Sequence, residues 1–361
     1  MKILFIGPLP PPITGQSHVD QVLLNELVIH HNIIIVDTNK SSFVSGIDSS
    51  KRIFQILNIL KIVWSNRNNN DSIYLTISES IAGNIRDILI YFICFKNLHK
   101  IVIHLHGGSF KRDVIDKSRM LKLVNKFFIK RFKAIIILGK SHLNIFSEFV
   151  EEQRISIIPN FASESLFIDK RIVLKKFAKT NPLKILFISN LIEGKGYMEL
   201  IDAYLGLDAI SKQKIILHIG GAADPEHIKK TKFLERISIE ENIHYHGFIN
   251  EEKKKNLLAE AHILCFPSYL LEGQGVVVLE AYASGCVVIT TGSGGIKDVF
   301  EDGINGYRIE TKSAISIQKT IEKIIRGPEK LLSIALKNRT IASEEYRIKK
   351  FTTKVMNILE K

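Results

Sequence analysis

A chain of 361 residues, 45% hydrophobic and 24% charged, has the length of two domains and a globular composition, which excludes disordered, collagen-like and low-complexity classes. Its net charge of +13 is unevenly placed: residues 1–180 carry 25 Lys and Arg against 14 Asp and Glu, and residues 181–361 carry 25 against 23, so an anionic partner is expected for the first half. Cys94, Cys265 and Cys286 stand far apart in apolar runs, with neither a disulfide framework nor metal-ligand spacing, no signal-peptide core opens the chain, and no 18 apolar residues run uninterrupted, so a cytoplasmic protein that does not cross the membrane is expected.

Short β-branched runs alternate with helical stretches, the pattern of βαβ units around a parallel sheet. Strands are expected at 2–6, 33–37, 72–77, 101–105, 134–138 and 155–158, with helices near 18–29, 51–65, 79–96, 117–131 and 141–150. The pattern then stops. Residues 160–182 show no clean period, hold a basic run and end in Asn181-Pro182, which reads as a linker. Strands resume at 184–189, 215–219, 243–246, 263–266 and 287–291, and the chain is helical from about Thr311 to Lys361. The fold expected is α/β: a Rossmann-like doubly wound domain over 1–170, a second over 171–340, and a closing helix in 341–361 packing back on the first. Two such domains place a ligand cleft between the carboxyl ends of their sheets.

The densest chemical signal is Pro267-Ser268-Tyr269-Leu270-Leu271-Glu272-Gly273-Gln274-Gly275-Val276, which leads into the apolar run Val277 to Ala281 around Glu280. A strand ends at Pro267 and a helix begins near Gly275. Free N–H groups at that helix start form an anion site, and Gly273 and Gly275 let a phosphate approach the backbone. Glu280, about 7 Å along the axis, suits ribose hydroxyls beside a diphosphate. Glu272, in the loop, suits sugar hydroxyls at the other end. A bland reading makes both acids ordinary helix-start and surface residues, but the flanking Leu279 and Ala281 fit a solvated face poorly.

This arrangement of two glutamates eight apart, followed by Gly294-Gly295 and Asp302-Gly303-x-x-Gly306, resembles the retaining nucleotide-sugar glycosyltransferases of the GT-B fold, glycosyltransferase family 4. The resemblance spans nearly the whole chain and implies a donor site at Gly273, Gln274, Gly275, Val276 and Glu280, with Glu272 catalytic. It aligns Ile185 to Gly196 with a strand and basic loop in which an arginine and a lysine clamp the diphosphate. Lys195 is the lysine, and Asn190 stands where the arginine is usual, removing one charge. It favours His106, in His104-Leu105-His106-Gly107-Gly108, as the residue beside the transferred sugar, with His104 on the same strand face read as a core residue. Gly15, after Pro10-Pro11-Pro12, resembles the family's glycine loop near donor and acceptor, though a proline-stiffened turn explains it equally. By resemblance, backbone groups at Gly220-Gly221, Gly247-Phe248 and 264–268 line a base pocket.

The function so implied is transfer of a sugar from a UDP- or GDP-sugar to a glycan or polyprenyl-linked acceptor in surface polysaccharide assembly, such as capsule or lipopolysaccharide, with retention. No cofactor and no metal are expected, since no Asp-x-Asp occurs. Residues 111–133, with nine Lys and Arg and only two Asp, read as a basic amphipathic helix able to lie on an anionic inner leaflet, or as a core helix with a solvated face. Two alternatives compete with the enzyme: a non-catalytic sugar-nucleotide binder, and a nucleic-acid-binding protein, the latter without any zinc, helix-turn-helix or aromatic-strand signature.

Overall fold

The computed structural model describes residues 1–39, 49–223 and 225–361. The chain forms two units, Met1–Asn160 with Lys349–Lys361, and Phe161–Ile348. In the first, β1 (Lys2–Gly7), β2 (Asn32–Asp37), β3 (Ser72–Thr76), β4 (Ile101–His104), β5 (Ala134–Ile137) and β6 (Ile155–Ile157) make an all-parallel sheet in the order β2-β1-β3-β4-β5-β6. In the second, β7 (Leu183–Ile188), β8 (Ile215–Gly220), β9 (Ile243–Tyr245), β10 (Ile263–Phe266), β11 (Val287–Thr290) and β12 (Gly306–Arg308) are ordered β12-β11-β10-β7-β8-β9, again parallel.

Parallel strands covered on both faces read as continuous apolar runs. Accordingly β3, β4, β10 and β11 are buried along their whole length, whereas the edge strand β2 is mostly uncovered. Strand order reverses between β1 and β3 in one sheet and between β7 and β10 in the other. At such switch points the loops leaving the carboxyl ends part and open a crevice.

Three expectations are corrected. The stretch 160–182 is packed protein: Phe161, Ala162, Leu166 and Ile168 are buried, and a helix, Lys170–Phe177, is capped by Asp169 and seats Val173 and Phe177 in the core. Only two of its eight side chains face inward, four apart, too sparse a period to stand out among four cations. The helix expected over 141–150 shrinks to Leu143–Phe146, preceded by a tight turn at Lys140–His142. Residues 111–133 are not one helix either. A wide turn spans Lys111–Ile115, and an α-helix capped by Ser118 runs Arg119–Ile129, with Leu121 and Phe128 in the core.

The units divide at Asn160/Phe161, ten residues before the expected 170/171. The last helix, Ile348–Glu360, gives all but its first residue to the first unit, where Phe351 stacks 6.1 Å from His104, Lys133 donates to the Leu359 carbonyl at 2.8 Å and His31 lies 3.2 Å from Glu360. Among the described residues no helix is long and apolar enough to cross a membrane.

Candidate functional site

In the second unit the loops leaving β7, β10 and β11 converge at the switch point and are tied to one another by backbone. Tyr269 N–H donates to the Gly194 carbonyl at 2.9 Å, Gly295 N–H to that of Glu272 at 2.8 Å, and Ser293 Oγ to that of Leu270 at 2.7 Å. Two glycines make this possible. A Cβ on Gly196 would lie 2.3 Å from the Pro267 carbonyl oxygen, and one on Gly294 would lie 2.3 Å from that of Glu272; both also hold φ near +82° and +62°.

The same convergence brings Lys195 and Glu272 together, 77 residues apart in sequence: Lys195 Nζ donates to Glu272 Oε1 at 2.7 Å, with 17% and 12% of the two side chains exposed. Ser268 Oγ donates to the same carboxylate oxygen. A lysine has three donors, so two remain for a ligand, and Glu272 keeps its second oxygen. Asn190 lies exposed in the loop that carries Lys195.

Behind this cluster the helix Val276–Ala283 begins with Gly275 in the left-handed region at φ +66°, and no side chain caps it. The Val278 N–H turns back on the Gly275 carbonyl at 2.8 Å, which leaves the N–H groups of Val276 and Val277 to a ligand. Gln274 is buried beside it. Glu280, expected on ribose, is 4% exposed and gives Oε1 to Lys254 Nζ at 2.7 Å; Lys254 also holds Glu251 at 2.9 Å. Burial pulls the Lys254 ammonium down, but both carboxylates outweigh it and raise it above its ordinary range. Glu280 thus stands as a locked pair with one free oxygen, apart from the Lys195–Glu272 pair. Gly221 N–H donates to the Gly247 carbonyl at 2.8 Å, and Phe248 beside it is exposed.

In the first unit His106 follows β4, and its ring lies 3.9 Å from that of His104. His106 Nε2 is 3.4 Å from Asp20 Oδ1, a carboxylate with no exposed surface on the helix Gly15–His30. Asp20 also accepts from Tyr74 Oη at 3.1 Å and Thr76 Oγ1 at 2.9 Å, and Tyr74 Oη lies 2.7 Å from His104 Nδ1. Tyr74 has one proton. If it goes to the carboxylate, His104 Nδ1 carries the hydrogen and Nε2 is bare, which fits a ring that burial and then His106 hold well below the usual imidazole range. Gly7 leaves room for the carboxylate, since a Cβ there would stand 2.6 Å from Asp20 Oδ2. The reading from sequence included none of Asp20, Tyr74 and Thr76; the only available signal was their placement one strand length or one helix turn from the motif loops.

Next to His106, Gly107 packs on Glu79, whose Oε1 accepts the Ser109 and Phe110 N–H groups at 2.7 and 3.0 Å. Gly15 is the first residue of its helix, behind Thr14 and Ser17, which cap one another; a Cβ on it would meet nothing within 4 Å. Among the described residues no packing therefore demands a glycine there.

Four imidazoles are held below their ordinary range with burial as the leading cause: His104, His246, His262 and His218, the last lowered to about 4. An unfolded chain takes up these protons near pH 6.5 and the folded chain does not, so their stabilising effect is present above pH 6.5 and lost as pH falls below it. The urea midpoint is expected to drop from pH 7.5 to 5.5. Glu79, whose carboxyl burial raises, works in the opposite direction at lower pH. A midpoint that holds or rises over that interval would contradict this.

Residues 169–340 match the family model described as glycosyl transferases group 1. This stretch is similar to that family. It contains every second-unit residue of the site, from Asn190 to Glu280. The chain is similar to an uncharacterized glycosyltransferase, MJ1069, of Methanocaldococcus jannaschii, 26% identical over 73% of this chain and 68% of that one. It is also similar to N-acetyl-alpha-D-glucosaminyl L-malate synthase of Bacillus anthracis, 24% identical over 72% and 67%. The lipopolysaccharide 1,2-N-acetylglucosaminetransferase of Salmonella typhimurium is 22% identical over 68% and 63%. Among solved structures, Anabaena Alr3699/HepE in complex with UDP and glucose superposes with a TM-score of 0.73 at 18% identity, over 100% of this chain and 99% of that chain. The fold is GT-B, two Rossmann-like domains, and with the group 1 domain and the relatives' names it supports a glycosyltransferase with homologues in lipopolysaccharide assembly.

Proposed function

We propose that the chain transfers a sugar, with retention at the anomeric carbon, from a UDP- or GDP-sugar to a hydroxyl of a glycan or lipid-linked acceptor in surface polysaccharide assembly. The observation that carries the reading is the Lys195–Glu272–Ser268 cluster, set at a sheet switch point beside an uncapped helix start. Lys195 and the N–H groups at Val276 meet the charge that builds on the diphosphate as the glycosidic bond breaks. Glu272 accepts hydrogen bonds from the donor sugar, and the free oxygen of Glu280 accepts from ribose. To His106 we assign, from the family resemblance, support of positive charge at the anomeric centre.

Hydrolytic retaining enzymes use a carboxylate nucleophile. Here both glutamates already hold lysines, so no protein nucleophile is assigned. The leaving diphosphate oxygen takes the acceptor proton on the face from which it departs, and Lys195 with backbone dipoles does the work otherwise given to a metal.

Thermal shift with UDP, GDP and their common sugars tests the reading. A nucleotide at about a hundred times its Kd adds about 2.7 kcal/mol of stability. One of the two nucleotides is expected to raise Tm, and Glu272→Ala to keep that shift while losing transfer. Asn190→Arg, which restores a second cation to the loop, should tighten nucleotide binding by roughly tenfold, the worth of one charge-assisted hydrogen bond. If no nucleotide or nucleotide sugar shifts Tm, the reading fails.

A further inference from the structure

Right-handed crossovers from β2 to β3, β3 to β4 and β4 to β5 all advance the same way across the first sheet, so the helices Ser49–Asn66, Ile81–Ile93 and Arg119–Ile129 share one of its faces. The first packs on the second and the second on the third. A surface helix turns a polar stripe to water. Ile81–Ile93 does not, and its two neighbours expose large apolar side chains beside their polar ones. The outward stripe of Ile81–Ile93 is Ile81, Ile85, Leu89 and Phe92, the last 58% exposed. Its neighbours add Ile53, Phe54, Leu57 and Trp64 on one side and Met120, Leu123 and Phe127 on the other, with Met120 and Leu123 about 70% exposed.

Cations frame this apolar face. Lys61, Lys96, Arg119, Lys126 and Arg131 are exposed on or beside the three helices. The helices' one acidic residue, Asp87, is fully buried and bound to Arg86 at 2.6 Å, and Lys122 is taken by Glu148 at 2.6 Å. Two arginines sit over the exposed aromatics: the Arg67 guanidinium carbon is 3.7 Å from the centre of the Trp64 ring and that of Arg131 is 3.8 Å from the centre of Phe127. Such pairs present an apolar body with a charged, water-seeking tip, as residues at a bilayer boundary do.

We infer that this three-helix face seats on an anionic lipid surface, with the apolar stripes among the acyl chains and the cations among the headgroups. A monomer seldom leaves so large an apolar patch in water. Charge selects the occupant: a second copy docked through the same face would oppose cation to cation across the symmetry axis, whereas an anionic leaflet supplies the countercharge. Residues 111–133, read from sequence as one basic amphipathic helix lying on lipid or packed in the core, contribute only one of the three helices. The inference does not depend on the chemistry of the second unit.

The chain carries one tryptophan, Trp64, and it lies on this face, so its own fluorescence reports the contact. With vesicles containing about a third phosphatidylglycerol, emission should move to the blue and the protein should co-sediment, at least about tenfold more than with pure phosphatidylcholine, and less at high salt. Leu89→Glu with Phe92→Glu should abolish both signals with the thermal melt unchanged. Should that pair impair folding, Arg119→Gln with Lys126→Gln and Arg131→Gln tests the same point and should remove the preference for anionic vesicles. Three results would overturn the inference: no blue shift with either vesicle, equal binding to both, or vesicle-free self-association that Leu89→Glu with Phe92→Glu disperses, which would assign the face to a second copy.

Discussion

Replacing Lys195 with alanine is expected to lower the rate of sugar transfer by about two to three orders of magnitude, the usual cost of removing one preorganised donor from developing negative charge. The effect should be large because Lys195 has little help. Asn190, in the same loop, carries no charge, and what remains is the helix start at Val276. Removing Lys195 also leaves the Glu272 carboxylate, 12% exposed, beside the diphosphate with only Ser268 to hold it. Repulsion then adds to lost attraction, so UDP or GDP binding should weaken along with transfer. Removing Glu272 as well lifts the repulsion. The double variant Lys195→Ala with Glu272→Gln should therefore bind nucleotide better than Lys195→Ala alone, by calorimetric titration, while staying inactive. Transfer within tenfold of the parent in Lys195→Ala would show that the lysine does not meet the diphosphate.

What could be read from the amino acids was whatever lies contiguous in them. The strand runs are unbroken because both faces of each sheet are covered, and the loop from Pro267 to Val276 announces itself by turn residues between a buried strand and an apolar helix. Lys195 and Glu272 were each visible, but their 2.7 Å contact depends on β7 and β10 being neighbours, which strand order sets and local pattern does not. β12, three residues of Gly, Tyr and Arg, has no apolar run to betray it. The outward apolar stripe of Ile81–Ile93 was invisible for the opposite reason: its polar residues Asn84, Arg86 and Asp87 are buried, so the usual rule that the polar side of a helix faces water points the wrong way. Polar residues in cores are hardest of all. Tyr74 and Thr76 look like ordinary strand formers, and Asp20 like a solvated helix acid, until β1, β3, β4 and the first helix place them within hydrogen-bond reach of one another.

That last group leads to the other large effect. Asp20 is a carboxylate without surface, and of the basic side chains whose contacts are described only His106 lies within 4 Å of it, with Nε2 at 3.4 Å. A buried charge is tolerated when paired and hydrogen-bonded, and taking away one member typically costs 3–5 kcal/mol. Asp20→Ala is therefore expected to lower folding stability by about 3 kcal/mol, since it strands Tyr74, Thr76 and His106 together. Asp20→Asn keeps one acceptor oxygen, which the Tyr74 and Thr76 hydroxyls can share, while it removes the charge and turns the other oxygen into a donor, so it should cost less than alanine. A double-mutant cycle of Asp20→Asn against His106→Gln, read by urea denaturation, should give a coupling energy of about 1–3 kcal/mol, the range for residues in one network. Asp20 is assigned no ligand contact and is proposed to act by fixing the His106 ring, 3.4 Å away. Asp20→Asn should then lower kcat by roughly tenfold or more while nucleotide affinity, set by the second unit, stays at the parent value. A coupling below about 0.5 kcal/mol, within the additivity error for independent sites, would mean that the two side chains are neighbours without being partners.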